Sequence, residues 1–283
     1  MIWRFREKRL GFEKIRLMGI LNVTPDSFSD GGTFFSPDAA VQRALELEKE
    51  GADLLDIGGE SSRPGAPPVS EEEEQDRVLP IIKRLRPQIR IPISVDTTKP
   101  GVARAALEAG ADIINDVDGL RASGEMAHLA RNYGAGLILT HRRGTPETMQ
   151  SLAHYRDVVA EVIQELGESF EKVRDAGVDS EQVVLDPGFG FSKTTEQNLE
   201  LIARLEEFQV WGRPVLVGPS RISFIGALTG KGPSEWDGGT AAAVALVVTR
   251  GVQIVRVHNV ALMRDVLGVA EALRAREAFH VRP

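Results

Sequence analysis

Hydrophobic and polar positions follow one another along the chain in a repeating order of short apolar runs and longer amphipathic stretches. The amphipathic stretches, such as residues 38–50, 100–109, 155–176 and 239–250, carry apolar residues at i, i+3 and i+4. This order is typical of strands in a parallel sheet, each followed by a helix that covers it. The apolar runs predict eight strands, at residues 15–23, 53–58, 91–96, 112–117, 136–140, 183–186, 215–218 and 254–258.

The number of repeated units decides which arrangement of the sheet we expect. Eight units, with no long linker, low-complexity block or change of composition between them, favour a closed barrel over an open doubly wound sheet. We therefore predict an α/β fold, a (β/α)8 TIM barrel that forms a single domain over residues 1–283, with residues 1–14 as a short lead-in segment. Glycines at 51, 110, 134, 177 and 251 are expected to end helices with a positive φ.

Composition and charge narrow the class of protein. The formal net charge is -7, so a broad basic surface for nucleic acid is not expected. Apolar runs stay below the ~18 residues of a membrane helix, and the first residues are followed by charge rather than by an apolar signal core. We therefore expect a cytoplasmic protein without nucleic-acid or membrane partners. Because the chain has no cysteine, its chemistry must come from Asp, Asn, Arg, His, Ser and Lys.

Almost every predicted strand ends in a polar residue. In barrels of this kind branched apolar side chains fill the interior, and the carboxyl ends of the strands form the active site. Any one Asp or Asn could instead cap the following helix, but several that converge on one mouth predict a ligand rich in hydrogen-bond donors, or a metal. The strand-end residues are Asn22, Asp56, Asp96, Asn115, Asp116, Thr140, His141, Asp186, Ser220, Arg221, Arg256 and His258.

Cationic side chains lie at the same predicted mouth. Arg63 follows the second strand, Arg221 follows the seventh, and Arg256 and His258 belong to the eighth. Barrels often bind phosphate near strands seven and eight, and the guanidinium fork matches phosphate oxygens, so we expect an anion site here. For Arg256 we favour a ligand contact over a salt bridge. The predicted ligand is bipartite, and its donor groups would meet Asp96, Asn115 and Asp186, away from its anionic end.

Two glycine-rich segments do not match nucleotide-binding motifs. The run from Gly188 to Thr194 resembles a phosphate loop, but Ser192 stands where the glycine before the lysine is required, and the first glycine is misplaced. The glycines at 58 and 59 lack the spacing of a dinucleotide fingerprint. No nicotinamide cofactor is therefore indicated.

Longer motifs resemble those of a known family. The segments MGILNVTPDSFSDGG at 18–32, DIGGESSRPG at 56–65 and DPGFGF at 186–191 look like those of the dihydropteroate synthases, in the pterin-binding barrel superfamily. Shorter matches follow in the right order at 94–97, 114–117, 144–150, 239–242 and 256–258. The resemblance covers about residues 15–260, and chance does not explain it.

The resemblance implies a reaction, a cofactor and a set of site residues. The reaction is transfer of 6-hydroxymethyl-7,8-dihydropterin from its diphosphate to 4-aminobenzoate, giving 7,8-dihydropteroate and pyrophosphate in folate synthesis, usually with Mg²⁺ in a homodimer. Asp186 would accept paired hydrogen bonds from the pterin, with Asp96 and Asn115 on neighbouring ring edges. The diphosphate would meet Asn22, which helps to hold Mg²⁺, together with Arg63, Arg256 and His258, which stabilise the leaving group.

The resemblance also implies roles for the loops. Phe28 and Asp30 in the first loop, and Ser62 and Pro64 in the second, would close over the site. Phe191 and Ser223 would line the 4-aminobenzoate pocket, where sulfonamide-type analogues could also bind. The implied catalytic residues are thus Asn22, Arg63, Asp96, Arg256 and His258, and Asp56, Ser220, Arg221 and Ile222 complete the implied substrate-binding set.

One departure from the family pattern keeps alternatives open. The family usually has a lysine that contacts the pterin where this chain has Ile222, and losing a charged donor costs roughly 1.5–3 kcal/mol. A weakly active or non-catalytic pterin-binding paralogue is therefore one alternative. A pterin-dependent methyl-transfer domain is another, although the long loop motifs argue against it.

Overall fold

Eight parallel strands form the centre of the fold, in the order β8-β7-β6-β5-β4-β3-β10-β9. The structure is a computed structural model that describes residues 1–24, 36–121 and 124–280. A single bridge between Leu185 and Val215 joins β8 to β9 and closes the circle. The strands are β1 Ile2–Phe5, β2 Lys8–Gly11, β3 Arg16–Asn22, β4 Leu54–Gly58, β5 Ile93–Asp96, β6 Ile113–Asp116, β7 Gly136–Thr140, β8 Val183–Asp186, β9 Leu216–Val217 and β10 Ile254–Val257.

Helices connect the parallel strands and cover the outside of the barrel. The predicted barrel is therefore confirmed, and the ends of the predicted elements differ from the observed ones by three residues or fewer. All five predicted stop glycines have a positive φ. Within the described residues no helix is both long and apolar enough to span a membrane. The helices are α1 Pro37–Lys49, α2 Glu71–Leu85, α3 Pro100–Ala109, α4 Glu125–Tyr133, α5 Val158–Asp175, α6 Thr195–Ala203, α7 Ser223–Thr229, α8 Asp237–Thr249 and α9 Val260–His280.

The inside of the barrel begins with a layer of apolar side chains near the amino ends of the strands. Successive side chains of a strand point to opposite faces, so one face of each strand lines the barrel and the other packs under the helices. On β4, for example, Leu54 belongs to the inner cluster, whereas Leu55 belongs to the outer core. The apolar layer consists of Met18, Leu54, Ile113, Ile138, Val184, Leu216 and Ile254.

The first residues form a hairpin that completes this layer. Strands β1 and β2 pair antiparallel, and Trp3 and Phe5 are buried at 0% and 1% exposure in the same cluster as the apolar layer. The indole Nε1 of Trp3 donates a hydrogen bond of 2.8 Å to the carbonyl oxygen of Gln182. The segment predicted as a short lead-in therefore contains a hairpin, whose two inward aromatic residues belong to the barrel core.

Candidate active site

Two residues beyond the apolar layer, the inward side chains become polar. Asp56 follows Leu54 at this spacing, Asn115 follows Ile113, and Arg256 follows Ile254. The alternation that fills the amino end of the barrel with apolar groups thus presents polar groups at the carboxyl end. We call this second layer the polar ring, and it consists of Asp56, Ser94, Asn115, Thr140, Asp186 and Arg256.

Arg256 joins the carboxylates of the site into one cluster. Its Nε lies 2.6 Å from Oδ2 of Asp56, and its Nη2 lies 2.7 Å from Oδ2 of Asp96. The amide Nδ2 of Asn115 donates to the same oxygen of Asp56 at 2.9 Å. Arg256 thus forms a salt bridge with both carboxylates, and its predicted contact with a ligand stays a prediction. Asp56 and Asp96 are buried and need a cation nearby. Because both are far from Arg256 in sequence, the pairing could not be seen before the fold was known.

Burial changes the proton affinity of the acidic groups. Burial raises the pKa of the Asp96 carboxyl, and the charge of Arg256 opposes this effect. Burial also raises the pKa of Asp186 to about 6, against the hydrogen bond from the Gly188 N–H and the charges of Arg256 and Lys193. At neutral pH Asp186 is therefore ionised but close to its titration range, so its charge depends on these neighbours.

Some buried oxygen atoms of the polar ring have no hydrogen-bond partner among the described residues. Oδ1 of Asp56 and Oδ1 of Asn115 are buried and make no hydrogen bond with any residue that the structure describes, and the same holds for Oγ of Ser94. A buried acceptor without a partner costs about 1–3 kcal/mol, so such groups are usually satisfied. The ring thus has spare capacity for a ligand that donates hydrogen bonds, as its residue types predict.

A pocket of about 350 Å³ lies beside the polar ring. Arg221 is one of its cations, and its guanidinium Nε lies 3.0 Å from Oδ1 of Asp237. Arg43 of α1 also reaches the pocket, although sequence reasoning did not select it, because its position inside an amphipathic helix looks like that of any surface residue. The lining residues are Ile20, Leu21, Asn22, Arg43, Arg221, His258 and Asn259.

His258 differs from the predicted cation. Burial, together with the charges of Arg256, Arg221 and Arg63, lowers its pKa to about 3. Its Nδ1 lies 2.9 Å from Oγ of Ser220, which also accepts a hydrogen bond of 3.2 Å from the His258 backbone N–H. At ordinary pH the imidazole is therefore neutral, and it offers a hydrogen-bonding nitrogen rather than a charge.

The two predicted closing loops are described unequally. Phe28 and Asp30 lie outside the described residues. In the loop after β4, Ser62 is half-buried, whereas Arg63 and Pro64 are exposed. This loop touches the loop after β7, because the Gly65 N–H donates to the carbonyl oxygen of Pro146 at 2.9 Å.

The loops after β8 and β9 meet where the family lysine is missing. Ile222 is half-buried, and a Cβ on Gly190 would lie 2.8 Å from its Cγ2, so the isoleucine packs against this glycine. Phe191, the next residue, is half-buried, and Ser223 begins α7 on the exposed side. This corner of the site is therefore lined by an apolar side chain where a charge was expected.

Two buried cations near the ring escaped sequence reasoning. Lys193, dismissed with the false phosphate loop, is 3% exposed and packed beneath the turn after β8. Arg142 follows β7 and donates from Nη2 to Oδ1 of Asp118 at 3.1 Å. A buried lysine in a glycine-rich turn next to a strand-end carboxylate is the signal that could have identified the first, but no local signal marks the second.

The capacity of the site for a metal ion depends on Asn22. Among residues 1–24, 36–121 and 124–280, no three His, Asp or Glu side chains are grouped so that they could hold a metal. A Cβ on Gly58 would lie 3.7 Å from Oδ1 of Asn22 and 3.5 Å from Cβ of Asp96, so both side chains lie next to this glycine. Mg²⁺ often takes most of its oxygen ligands from phosphates and water. Asn22 therefore fits an Mg²⁺ that is bound mainly by a diphosphate.

Comparison with known proteins identifies relatives of the whole chain. Residues 18–258 match the family described as pterin binding enzyme. The dihydropteroate synthase of a Synechocystis strain is 48% identical over 258 residues, which cover 91% of this chain and 89% of the relative.

Solved structures agree with the sequence comparison. The Yersinia pestis dihydropteroate synthase with a sulfonamide drug complex has a TM-score of 0.92 and 39% identity, over 97% of this chain and 100% of that one. The Xanthomonas albilineans dihydropteroate synthase with 4-aminobenzoic acid has a TM-score of 0.90 and 46% identity, over 97% and 99% of the two chains.

Proposed function

Because the chain belongs to the dihydropteroate synthases, within the family of pterin-binding enzymes, we propose roles for its site residues in the reaction of that family. The enzyme is a transferase of folate synthesis that joins 6-hydroxymethyl-7,8-dihydropterin diphosphate to 4-aminobenzoate and releases pyrophosphate. The expectation from the sequence motifs is thereby confirmed. Which residues perform each step is our proposal.

Pterin recognition is assigned to the polar ring. The carboxylate of Asp186 accepts one hydrogen bond from the amino group of the pterin and one from the neighbouring ring N–H. This pair of hydrogen bonds needs an ionised carboxylate. Asn115 and Asp96 take the adjacent ring edges. The unpartnered Oδ1 of Asn115 supports this role, since it is a buried acceptor at the right level of the barrel.

Departure of the diphosphate is assigned to the cations around the pocket. The bond between the pterin methylene carbon and the diphosphate oxygen breaks, and the electron pair leaves with pyrophosphate. Arg63 and Arg221 stabilise the growing negative charge, while the neutral His258 contributes a hydrogen bond. Asp56 and Asp96 stabilise the positive charge that develops on the methylene carbon, and Arg256 holds both of them in place.

We further propose that Mg²⁺ accompanies the diphosphate and is held on the protein side by Asn22. When bound, the ion neutralises charge on the leaving group. Asn22 lines the 350 Å³ pocket together with Arg43 and Arg221, which supports this assignment.

The second substrate is assigned to the corner between the loops after β8 and β9. Phe191 and Ser223 line the pocket for 4-aminobenzoate, whose amine attacks the methylene carbon and then loses a proton. Ser62 and Pro64, in the loop after β4, are assigned to closure over the site, and for Phe28 and Asp30 the closing role stays a prediction from the family resemblance. Relatives have been solved with 4-aminobenzoic acid and with a sulfonamide, which supports both as ligands of this chain.

We also propose a homodimer and a cytoplasmic location. On α9, Leu262, Val269 and Leu273 are exposed at a spacing that places them on one face, and Leu246 of the neighbouring α8 is exposed as well. A second copy of the chain is the occupant that we assign to this apolar surface. Sedimentation of the purified protein tests the dimer, and Leu246→Glu is expected to yield monomers. Cell fractionation tests the location.

The cluster of Asp56, Asp96 and Arg256 at the mouth of the barrel is the observation that carries these roles. A steady-state assay with pterin diphosphate, 4-aminobenzoate and Mg²⁺ tests them, with pyrophosphate release as the readout. We expect turnover by the native chain and a loss of roughly 100-fold or more in Asp186→Asn, because a charge-assisted pair of hydrogen bonds is lost. Pterin binding without pyrophosphate release would instead support the non-catalytic paralogue that Ile222 suggests.

A further inference from the structure

Lys193 is a buried ammonium that the proposed reaction does not use. Its Nζ lies 3.0 Å from the carbonyl oxygen of Gly188, 2.9 Å from that of Phe191 and 3.0 Å from Nδ1 of His141. Three acceptors around one ammonium match its three N–H donors, so each of its protons has a partner. A neutral amine would leave one of these acceptors facing a lone pair. The geometry thus favours the charged form of Lys193.

The neighbours of Lys193 are arranged for this charge. Because Nδ1 of His141 accepts from the ammonium, the imidazole carries its proton on Nε2, which lies 3.1 Å from Oε2 of Glu165. Burial lowers the pKa of His141 to about 4, and the charge of Lys193 lowers it further. His141 is therefore neutral, and two hydrogen bonds connect Glu165 through its imidazole to the ammonium.

Lys193 and Asp186 hold opposite ends of the same glycine. The N–H of Gly188 donates to Oδ1 of Asp186 at 2.8 Å, while its carbonyl oxygen accepts from Lys193. Gly188 has a φ of +71°, and a Cβ at this position would collide with the carbonyl oxygen of His141. The turn therefore cannot shift easily, and a displacement of its carbonyl oxygen would also move the carboxylate of Asp186.

We propose that Lys193 is a positioning residue for pterin recognition, which fixes the turn that the Asp186 carboxylate bonds and keeps this carboxylate ionised through its buried charge. The inference rests on the proposed role of Asp186. Lys193 is then a cation that acts on Asp186 through Gly188. Ile222, which packs against Gly190 of the same turn, carries no charge.

The charge of Lys193 has a predictable effect on the pH dependence of pterin binding. Burial raises the pKa of Asp186 to about 6, and Lys193 opposes this rise. Burial lowers the pKa of Lys193 to about 7, which Asp186 and Glu165 oppose and Arg143 reinforces. Pterin affinity should therefore be complete above the pKa of Asp186 and fall as the pH drops through it. Without the ammonium, this pKa rises and the fall begins at a higher pH.

The test measures the affinity for the pterin diphosphate by calorimetry, without 4-aminobenzoate, across the titration ranges of Asp186 and Lys193. Lys193→Met removes the charge and the donors, whereas Lys193→Gln removes the charge but retains an N–H donor. In both variants we expect the acid midpoint to move to higher pH by about one unit, and the affinity near pH 6 to fall roughly fivefold. Circular dichroism verifies that each variant is folded.

A second variant protects the test against misfolding of a buried position. Glu165 is partly exposed, and Glu165→Gln weakens the support for the ammonium without touching Lys193, so a smaller shift in the same direction is expected. An unchanged midpoint in the folded Lys193 variants, or a loss that is equal at every pH, would overturn the inference. Failure of the native chain to bind the pterin, or full affinity in Asp186→Asn, would instead overturn the proposed function of Asp186.

Discussion

The apolar layer and the polar ring occupy successive inward positions on the same strands, yet they differ in almost every physical property. The apolar layer packs against Trp3 and Phe5 and buries its side chains completely. The polar ring buries charges and carries acceptors without partners among the described residues. On the same strand, one inward position thus stabilises the fold, whereas the inward position two residues later lowers stability and contributes to the site.

The difference teaches that stability and binding can be separated by position along a strand. Burial of apolar surface is favourable by itself, so the apolar layer needs no ligand. Buried polar atoms without partners are unfavourable by about 1–3 kcal/mol each, and a ligand that satisfies them recovers this free energy on binding. Substitutions in the apolar layer should therefore change unfolding, and substitutions in the polar ring should change affinity or rate.

The largest expected effect breaks this separation, because the loss of Arg256 should lower both the stability of the fold and the activity. Arg256→Met leaves Asp56 and Asp96 as uncompensated carboxylates, and we expect it to lower the free energy of unfolding by about 3 kcal/mol and to abolish turnover. This loss is at the low end of the range for removing one partner of a buried ion pair, because the arginine side chain is 19% exposed. Denaturant unfolding and the pyrophosphate assay measure the two effects.

A surface ion pair supplies the control for Arg256. Arg84 lies 2.6 Å from Asp38, but both side chains are largely exposed, so Arg84→Met should change stability by less than about 1 kcal/mol. Equal losses in the two variants would contradict a special role for the buried cluster.

The second effect tests the apolar layer alone. Trp3→Ala removes a fully buried aromatic ring and its hydrogen bond to Gln182, and we expect a loss of roughly 3–5 kcal/mol in the free energy of unfolding. Because the ring lies at the opposite end of the barrel from the site, KM values of the folded fraction should not change. An altered KM at temperatures well below unfolding would show that the two levels are coupled.

A gain of function at the mouth gives the third effect. Ile222→Lys places an ammonium where the family resemblance implies one, and we expect kcat/KM to rise by about tenfold with little change in stability. Ile222→Met is the matched control, since it has a similar size and no charge. Equal rates in the two variants would show that the chain does not depend on a cation at this position.

The smallest effect concerns a single hydroxyl of the polar ring. Ser94→Ala removes a buried oxygen without a partner among the described residues, and the variant should be more stable by about 1 kcal/mol. Ser169→Ala is the opposite case, because Oγ of Ser169 donates to the carbonyl oxygen of Gly119 at 2.8 Å, so its loss should destabilise the fold. Thermal unfolding measures the stability of both variants, and stability changes of the same sign would contradict this prediction.

The barrel and the membership of the polar ring could be predicted because both follow from local alternation. Residues two apart on a strand share a face, so a strand that ends in Asp56 or Asp186 must present that carboxylate at the mouth. The hairpin could not be predicted in the same way. Its strands have four residues each, and Trp3 finds its hydrogen-bond acceptor in a residue 179 positions further along the chain.

The charge state of the site residues also escaped the sequence. His258 was expected to be a cation, but its desolvation and the charges of Arg221 and Arg63 come from separate segments that only the fold brings together. Lys193 was set aside because its motif failed as a phosphate loop, although a buried lysine demands an explanation whatever its motif. Residue type and strand position locate a site, whereas protonation depends on tertiary neighbours.

The strand order also fixes when this enzyme acquires its site during synthesis. From β3 to β8 each strand pairs with its neighbour in sequence, so the sheet can grow one unit at a time as the chain leaves the ribosome. Arg256, however, arrives with the last strand, 200 residues after Asp56. Until then Asp56 and Asp96 have no guanidinium between them. An unfinished chain therefore has most of the sheet but none of the charge balance, and the catalytic centre is assembled last.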